Sequence, residues 1–296
     1  MFSLPNFELQ KNDQKSNLRS KINTTLDISF KVDPSGKTYI NRQYSSYPHH
    51  ICKALYLDEA KTEGMASIYT QSSSGGIYKN DCLGVNLTVN PGAKVHFTTQ
   101  ASTIIHKSLE GQARQHTNIL ALDHSYIEYF PDPIILFPDA NLVSSVLLEV
   151  ANNANVILFD SFLTHDLNNK GQIFDQLSTE LIIQDRHQKP KVIDRISLSG
   201  SNFSRKTLGV MGGYKYFGSI IVYYPKCCVE KWITELRDTI NKHNDLFGNA
   251  SILPNSNGIS VKILANNAIS LKKGLIAVWK QHRFLTFQQY PNKRKK

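Results

Sequence analysis

The sequence predicts a mainly β protein of layered antiparallel hairpins, with two helices confined to the C-terminal third. Three observations carry this reading. Apolar residues alternate with polar ones on both sides of turn clusters, as in Val85, Leu87 and Val89, then Asn90-Pro91-Gly92, then Val95 and Phe97. Period-2 alternation around an Asn/Pro/Gly cluster is a hairpin signal. The pattern then recurs: Leu120 to Phe130 and Leu148 to Phe159 each read as apolar strand, polar turn, apolar strand, at offsets of roughly thirty residues. A repeat of that period suggests stacked units, each burying a face against its neighbour. Finally, helical spacing appears only late. Val229, Trp232, Ile233, Leu236 and Ile240 stand at three- and four-residue steps within Cys228 to Asn244, and Ile269, Leu275, Ile276 and Trp279 do so within Ile269 to Arg283.

Taken in order, residues 1–21 are polar and mixed in charge, a loose lead-in. Leu26, Ile28, Phe30 and Val32 alternate as a strand. Asp33-Pro34-Ser35-Gly36 turns the chain, and Thr38 to Tyr44 returns beside it. A short apolar segment, Ile51 to Leu57, precedes the central stretch Ser74 to Lys107. After the repeated units, residues 177–184, 191–198 and 216–224 continue as strands. Leu253 to Gly258 is a turn, and Ile259, Val261 and Ile263 form a strand between the two helices. Residues 22–285 read as a single domain, followed by a basic tail over 286–296.

Composition bounds the function. With 296 residues, 41% hydrophobic and 20% charged, the chain can bury a sizeable core. No apolar run reaches the roughly 18 residues of a membrane span, and the N-terminus lacks a basic head followed by an apolar block, so neither a span nor a signal peptide is expected. Cys52, Cys82, Cys227 and Cys228 make neither a spaced disulfide framework nor a CxxC or Cys/His metal pattern, which points to a reducing, cytoplasmic setting. The net charge of +10 is uneven: from Leu246 onward there are nine Lys and Arg and no Asp or Glu. A basic end favours an acidic partner surface, a nucleic acid or a membrane face. Aromatic and basic residues are not interleaved as in RNA-binding modules, so no nucleic-acid or membrane partner is expected.

Motifs for catalysis are sparse. Gly75-Gly76 and Gly212-Gly213 lack the GK[ST] and helix start of a phosphate loop and read as tight turns. None of the ten His stands at HxxxH or HExxH spacing, and no GxSxG occurs. Asp81 follows the glycine turn. It either caps that turn or offers a hard oxygen ligand. Thr98, Thr99 and Gln100 cluster at a strand end, where hydrogen-bonding work at a site is expected. The prolines of Tyr129-Phe130-Pro131-Asp132-Pro133 forbid a helix and set a rigid corner between β layers.

At this point the residues resemble a family. Gly75-Gly76 with nearby Asp81, Pro91-Gly92-Ala93, Thr98-Thr99-Gln100-Ala101, and Pro131-Asp132-Pro133 ahead of Leu136-Phe137 look like the signature of the UreD/UreH urease accessory proteins. Ala54-Leu55-Tyr56, Phe217-Gly218-Ser219 and the block Gly258 to Arg283 extend the likeness over roughly residues 22–285. The sequence departs from the family pattern at Asn80, at Thr103 to His106, and at Gln172, where a carboxylate is usual. An acid after the third repeated unit is kept as Asp160. The resemblance implies stacked antiparallel hairpins wound into a β-superhelix with two helices. It implies a non-enzymatic maturation chaperone that binds apo-urease, a UreF-type accessory protein and a UreG-type GTPase, and that assists nickel delivery. It implies no tightly bound cofactor, only transient nickel. The candidate residues for a metal path or partner contact are Asp81, Thr98, Thr99, Gln100, His106 and Asp160, with the path thinned at Gln172. Two other classes compete: a basic nucleic-acid-binding β protein, and a metal-dependent hydrolase using Asp81 and His106.

Overall fold

The structure, a computed structural model, describes residues 23–58, 62, 64–166, 170–207, 209–225 and 228–292. The lead-in at 1–21, Cys227 and the terminal Lys293 to Lys296 lie outside the described residues. Strands account for 49% of the described residues and wind into a β-solenoid of about four turns, so the expected mainly β superhelix with late helices is observed.

The strands are β1 (Asn23–Val32), β2 (Thr38–Ser45), β3 (His49–Ile51), β4 (Ala66–Ser72), β5 (Cys82–Val89), β6 (Lys94–Thr99), β7 (Ile104–Ile105), β8 (Ala113–Ala121), β9 (Tyr126–Tyr129), β10 (Ile134–Leu136), β11 (Asn141–Val150), β12 (Asn155–Thr164), β13 (Gln176–Asp185), β14 (Pro190–Ser199), β15 (Tyr216–Tyr223), β16 (Leu246–Ile252) and β17 (Gly258–Ala265). They form two facing sheets. One runs β14-β13-β11-β8-β5-β1-β2. The other runs β16-β17-β15-β12-β9-β6-β4-β3, with β10 and β7 attached beside β12.

The pairing inside each repeated unit differs from the sequence expectation. β5 and β6 do not hydrogen-bond to one another: β5 pairs in parallel with β1 and β8, and β6 pairs in parallel with β4 and β9. The units at Asn90, Leu122 and Ala151 are therefore arches that carry the chain from one sheet to the other. Only β1–β2, with its Asp33-to-Gly36 turn, is a hairpin as read from the sequence. The reason is physical. Alternation reports which face of a strand is buried, and an arch buries the same faces as a hairpin while exchanging the hydrogen-bond partners. The thirty-residue period survives as in-register parallel stacking, with Val85 beside Thr117 and Thr117 beside Val146. Each arch closes with the same turn, in which Ala93, Ser125 and Ala154 donate their N–H to Asn90, Leu122 and Ala151, and Gly92 supplies a left-handed φ of 74°.

Among the described residues there are three α-helices, one more than the two expected: α1 (Gly200–Ser204), α2 (Val229–Asn241) and α3 (Ala268–Phe287). α1 is too short to leave a periodic signal. The long helix continues past Arg283 to Phe287, and Asn292 beyond it donates to the Leu57 carbonyl at 2.8 Å. α2 and α3 cover the outer face of the second sheet through Trp232, Leu236, Leu271, Leu275 and Val278 against Ile220, Val261 and Ile263. Gly218 lies under this contact; a Cβ there would sit 2.8 Å from Leu275 Cδ2. β16 was not read as a strand. Its LFGNASI sequence pairs with β17 at the sheet edge and has little alternation.

One ionic cluster fastens α3 to the sheet. Arg283 donates to both oxygens of Glu128 at 2.6 Å and to Asp58 at 2.8 Å. Glu128 also accepts from His96, Tyr126 and Trp279. Arg283 and Glu128 are wholly buried. Burial pushes the Glu128 carboxyl up, but Arg283 and His96 outweigh it and hold it well below the ordinary range.

Candidate functional site

Between the two sheets the core is interrupted. On five strands the inward residues read apolar, polar, apolar at two-residue steps: Leu142-Ser144-Val146, Leu158-Asp160-Phe162, Leu177-Thr179-Leu181, Val192-Asp194-Ile196 and Phe217-Ser219-Ile221. Ser144 pairs with Thr179 in one sheet and Asp160 with Ser219 in the other, and Asp194, beside Leu181, stands one inward step along from Thr179; together they form one polar seam, with an apolar cluster on either side of it. Thr99, Gln115, Thr117 and Tyr129 extend the seam toward β6 and β8.

The seam lines two adjoining cavities, of about 80 and 20 Å³, which share Tyr129, Ser144 and Asp160. At 10–15 Å³ per water, the larger has room for several. One end reaches the surface at His49 and the exposed Ser72, the other at Asp194 and Glu180. Thr117 Oγ1 meets the Tyr129 hydroxyl at 3.3 Å across the gap between the sheets. Burial pushes the Tyr129 phenol up to about 12, so it stays neutral and can donate.

Asp160 is the acid at the middle. It is half-buried because it faces the cavity, yet protein surrounds it. Desolvation therefore raises its pKa, Lys262 lowers it, and nearby Asp194 raises it again. His49 stands at the opposite end. The Thr25 hydroxyl donates to the Gly84 carbonyl at 3.0 Å, so it accepts the 2.9 Å bond from His49 Nδ1. The Nδ1–H tautomer leaves the Nε2 lone pair available. Burial lowers the His49 pKa, which keeps the ring neutral near pH 7.

Of the six residues singled out from the sequence, Thr99 and Asp160 line this space. Thr99 Oγ1 also accepts from the Asp132 N–H at 2.9 Å, tying the proline corner to the seam. The other four do not line it. Asp81 accepts from the Tyr78 N–H at 2.8 Å and closes a turn. Thr98 is buried, its hydroxyl donating to the Thr99 carbonyl and its own carbonyl accepting from the Thr70 hydroxyl, and Gln100 is exposed. His106 stacks on Tyr78 with centroids 4.3 Å apart and contacts the Gly75 carbonyl at 3.2 Å. Gly76 is packed so tightly there that a Cβ would meet the Ile104 carbonyl at 2.4 Å, a turn by necessity. Asp81 and His106 are thus each engaged in local structure, which removes the pair that motivated a hydrolase. Gln172 is exposed and off the cavities, so its lost carboxylate does not thin the seam. Among the described residues no three His, Cys, Asp or Glu side chains gather into a closed metal site; the donors are strung along the seam. Ser144, Thr179, Asp194, Ser219, Lys262 and His49 were missed. The available signal was a single polar residue in an otherwise apolar inward row, which is legible only once the register is known.

A family model for the UreD urease accessory protein matches residues 23–295. The chain belongs to the UreD family. Its relatives include urease accessory protein UreD 1 of Pseudomonas syringae pv. syringae (strain B728a), 31% identical over 268 residues, covering 90% of this chain and 94% of that protein. UreD 1 of Pseudomonas syringae pv. tomato (strain ATCC BAA-871 / DC3000) is 32% identical over 255 residues, covering 86% and 89%. UreD 1 of Methylorubrum populi (strain ATCC BAA-705 / NCIMB 13946 / BJ001) is 31% identical over 245 residues, covering 83% and 82%. Membership assigns this UreD chain a role in urease maturation, consistent with a non-enzymatic part. Among the described residues no helix is long and apolar enough to cross a membrane.

Proposed function

We propose that this UreD protein is a non-enzymatic scaffold that assembles in the cytoplasm with apo-urease, a UreF-type protein and a UreG-type GTPase, and that nickel travels to urease along the polar seam. The observation that carries this reading is the alignment of Ser144, Asp160, Thr179, Asp194 and Ser219 between two apolar layers. A protein seldom interrupts its core with a continuous polar row, because each buried polar group must be satisfied. Nickel(II) accepts oxygen and imidazole ligands. Hydroxyls, the Asp160 and Asp194 carboxylates and the His49 Nε2 offer it successive contacts without a closed ligand set, and an open ligand set permits release. GTP hydrolysis belongs to the UreG-type partner in this scheme. Asp81, Thr98, Gln100 and His106 shape or present the segment around the path without lining it.

The test is co-expression of the urease operon with an Asp160→Ala or Ser144→Leu chain. Pull-down should still recover the complex with the UreF-type protein, the UreG-type protein and apo-urease, while nickel per urease active site falls. Full nickel loading with the seam blocked by leucine would sink the route, and absence of any such complex would sink the scaffold.

A further inference from the structure

The Asp194 end of the seam already holds a cation, the Lys262 ammonium. Asp160, Ser219 and Lys262 are register partners on β12, β15 and β17 and so form a row across three neighbouring strands. From the facing sheet, β14 contributes Asp194. Lys262 Nζ donates to Ser219 Oγ at 2.7 Å and is ion-paired with Asp194. Ser219 Oγ donates to the same Asp194 oxygen at 3.4 Å. The Lys262 side chain is 39% exposed, and its ammonium stands 5.8 Å from the Phe217 ring centre, so it is neither sealed in nor free. The other charged residue lining this end, Glu180, is neutralised by Arg195 at 2.6 Å. Lys262 lies in the stretch from Leu246 onward that has no acid of its own, so its counter-ions come from other elements.

We propose that Lys262 is a tethered competitor for the cargo cation, whose ammonium occupies the Asp194 and Asp160 end of the seam and prevents these carboxylates from trapping a metal ion. The inference rests on the nickel route proposed above and concerns its regulation. Two carboxylates facing a low-dielectric space bind a dication strongly, and strong binding opposes onward transfer. A lysine on a flexible four-carbon stem supplies one positive charge that cannot leave but can swing aside. It turns a trap into a station. Lys262 acts through the carboxylates and is a positioning residue.

The experiment titrates the purified full-length chain with Ni²⁺, and separately with Mg²⁺, by calorimetry, with thermal unfolding as a fold control. Lys262→Met should bind Ni²⁺ at least tenfold more tightly than the unsubstituted chain. Lys262→Arg should stay near the original affinity, and Lys262→Met combined with Asp194→Asn should return toward it. In cells, Lys262→Met should lower the nickel content of urease although the isolated chain binds nickel better. A merely structural ion pair predicts the opposite pattern: reduced thermal stability with Ni²⁺ affinity unchanged or weaker, and that result overturns the proposal. If Lys262→Met does not fold, Lys262→Gln, one atom shorter but keeping an N–H donor, is read in the same way. Tighter Ni²⁺ binding with undiminished urease loading would uphold the competition and overturn the nickel route.

Discussion

Two ionic clusters sit on opposite faces of the second sheet, and they are built to different ends. On the outer face, Glu128 and Arg283 are wholly buried and bonded on nearly every side, with His96, Tyr126, Trp279 and Asp58 completing the set. On the inner face, Asp160 and Asp194 border a cavity, and Lys262, ion-paired with Asp194, remains partly open to solvent. The first cluster has two-pronged geometry and no room for another ion. The second has a carboxylate whose charge is disfavoured by burial and a single, partly exposed ammonium held by Asp194 and Ser219. Buried charge that is fully satisfied specifies where a helix docks. Buried charge left incompletely satisfied beside a cavity is poised to exchange partners.

That contrast can be broken most severely at Arg283. Arg283→Met should cost about 3–5 kcal/mol, because it strands Glu128 in a dry site; chemical denaturation would show it, and a loss below 1 kcal/mol would contradict the anchoring role. Acid should act next through the same face. Burial lowers the His282 pKa to about 4 from 6.5, so the folded state refuses a proton that the unfolded chain accepts. Stability therefore falls as pH drops from about 6.5 toward 4, by on the order of 3 kcal/mol, and Glu128 adds to the loss as pH falls below its unfolded value of 4.5. His282→Leu should flatten the denaturation midpoint between pH 7 and 5.

Substitution in the seam should behave differently. Asp160→Asn removes a carboxylate that burial penalises, so the melting temperature should hold or rise while urease nickel loading drops. A melting temperature lowered as far as in Arg283→Met would place Asp160 among the structural charges. At the far end, His49→Ala should weaken Ni²⁺ contact roughly tenfold, and Thr25→Val, which only releases the tautomer, should cost less. Calorimetric titration ranks the two. The smallest effect belongs to the surface pair Arg42–Asp27, 2.9 Å long with Arg42 largely exposed; Arg42→Ala should change stability by about 0–1 kcal/mol, as thermal melts would report.

The sequence by itself determined most of the strands, which face of each is buried, the thirty-residue repeat and the two long helices. These follow from local alternation and helical spacing, which a single strand or helix displays unaided. It also displayed the family signature, although four of the six candidate residues do not line the cavity: Asp81 and His106 serve the turn region beside Gly76, Thr98 is buried in β6 and Gln100 is exposed. Only the tertiary structure decided that Asn90, Leu122 and Ala151 open arches and not hairpins, because hydrogen-bond partners leave no mark on side-chain periodicity. It alone decided that Ser144, Asp160, Thr179, Asp194 and Ser219 line one cavity: each is a single polar residue in the inward row of its own strand, and strand pairing, parallel for Ser144 with Thr179 and antiparallel for Asp160 with Ser219, together with the facing of the two sheets brings them together. It likewise decided that Arg283 and Lys262, two members of a basic C-terminal run, are internal counter-ions, since a charge finds its partner through folding and not through sequence proximity.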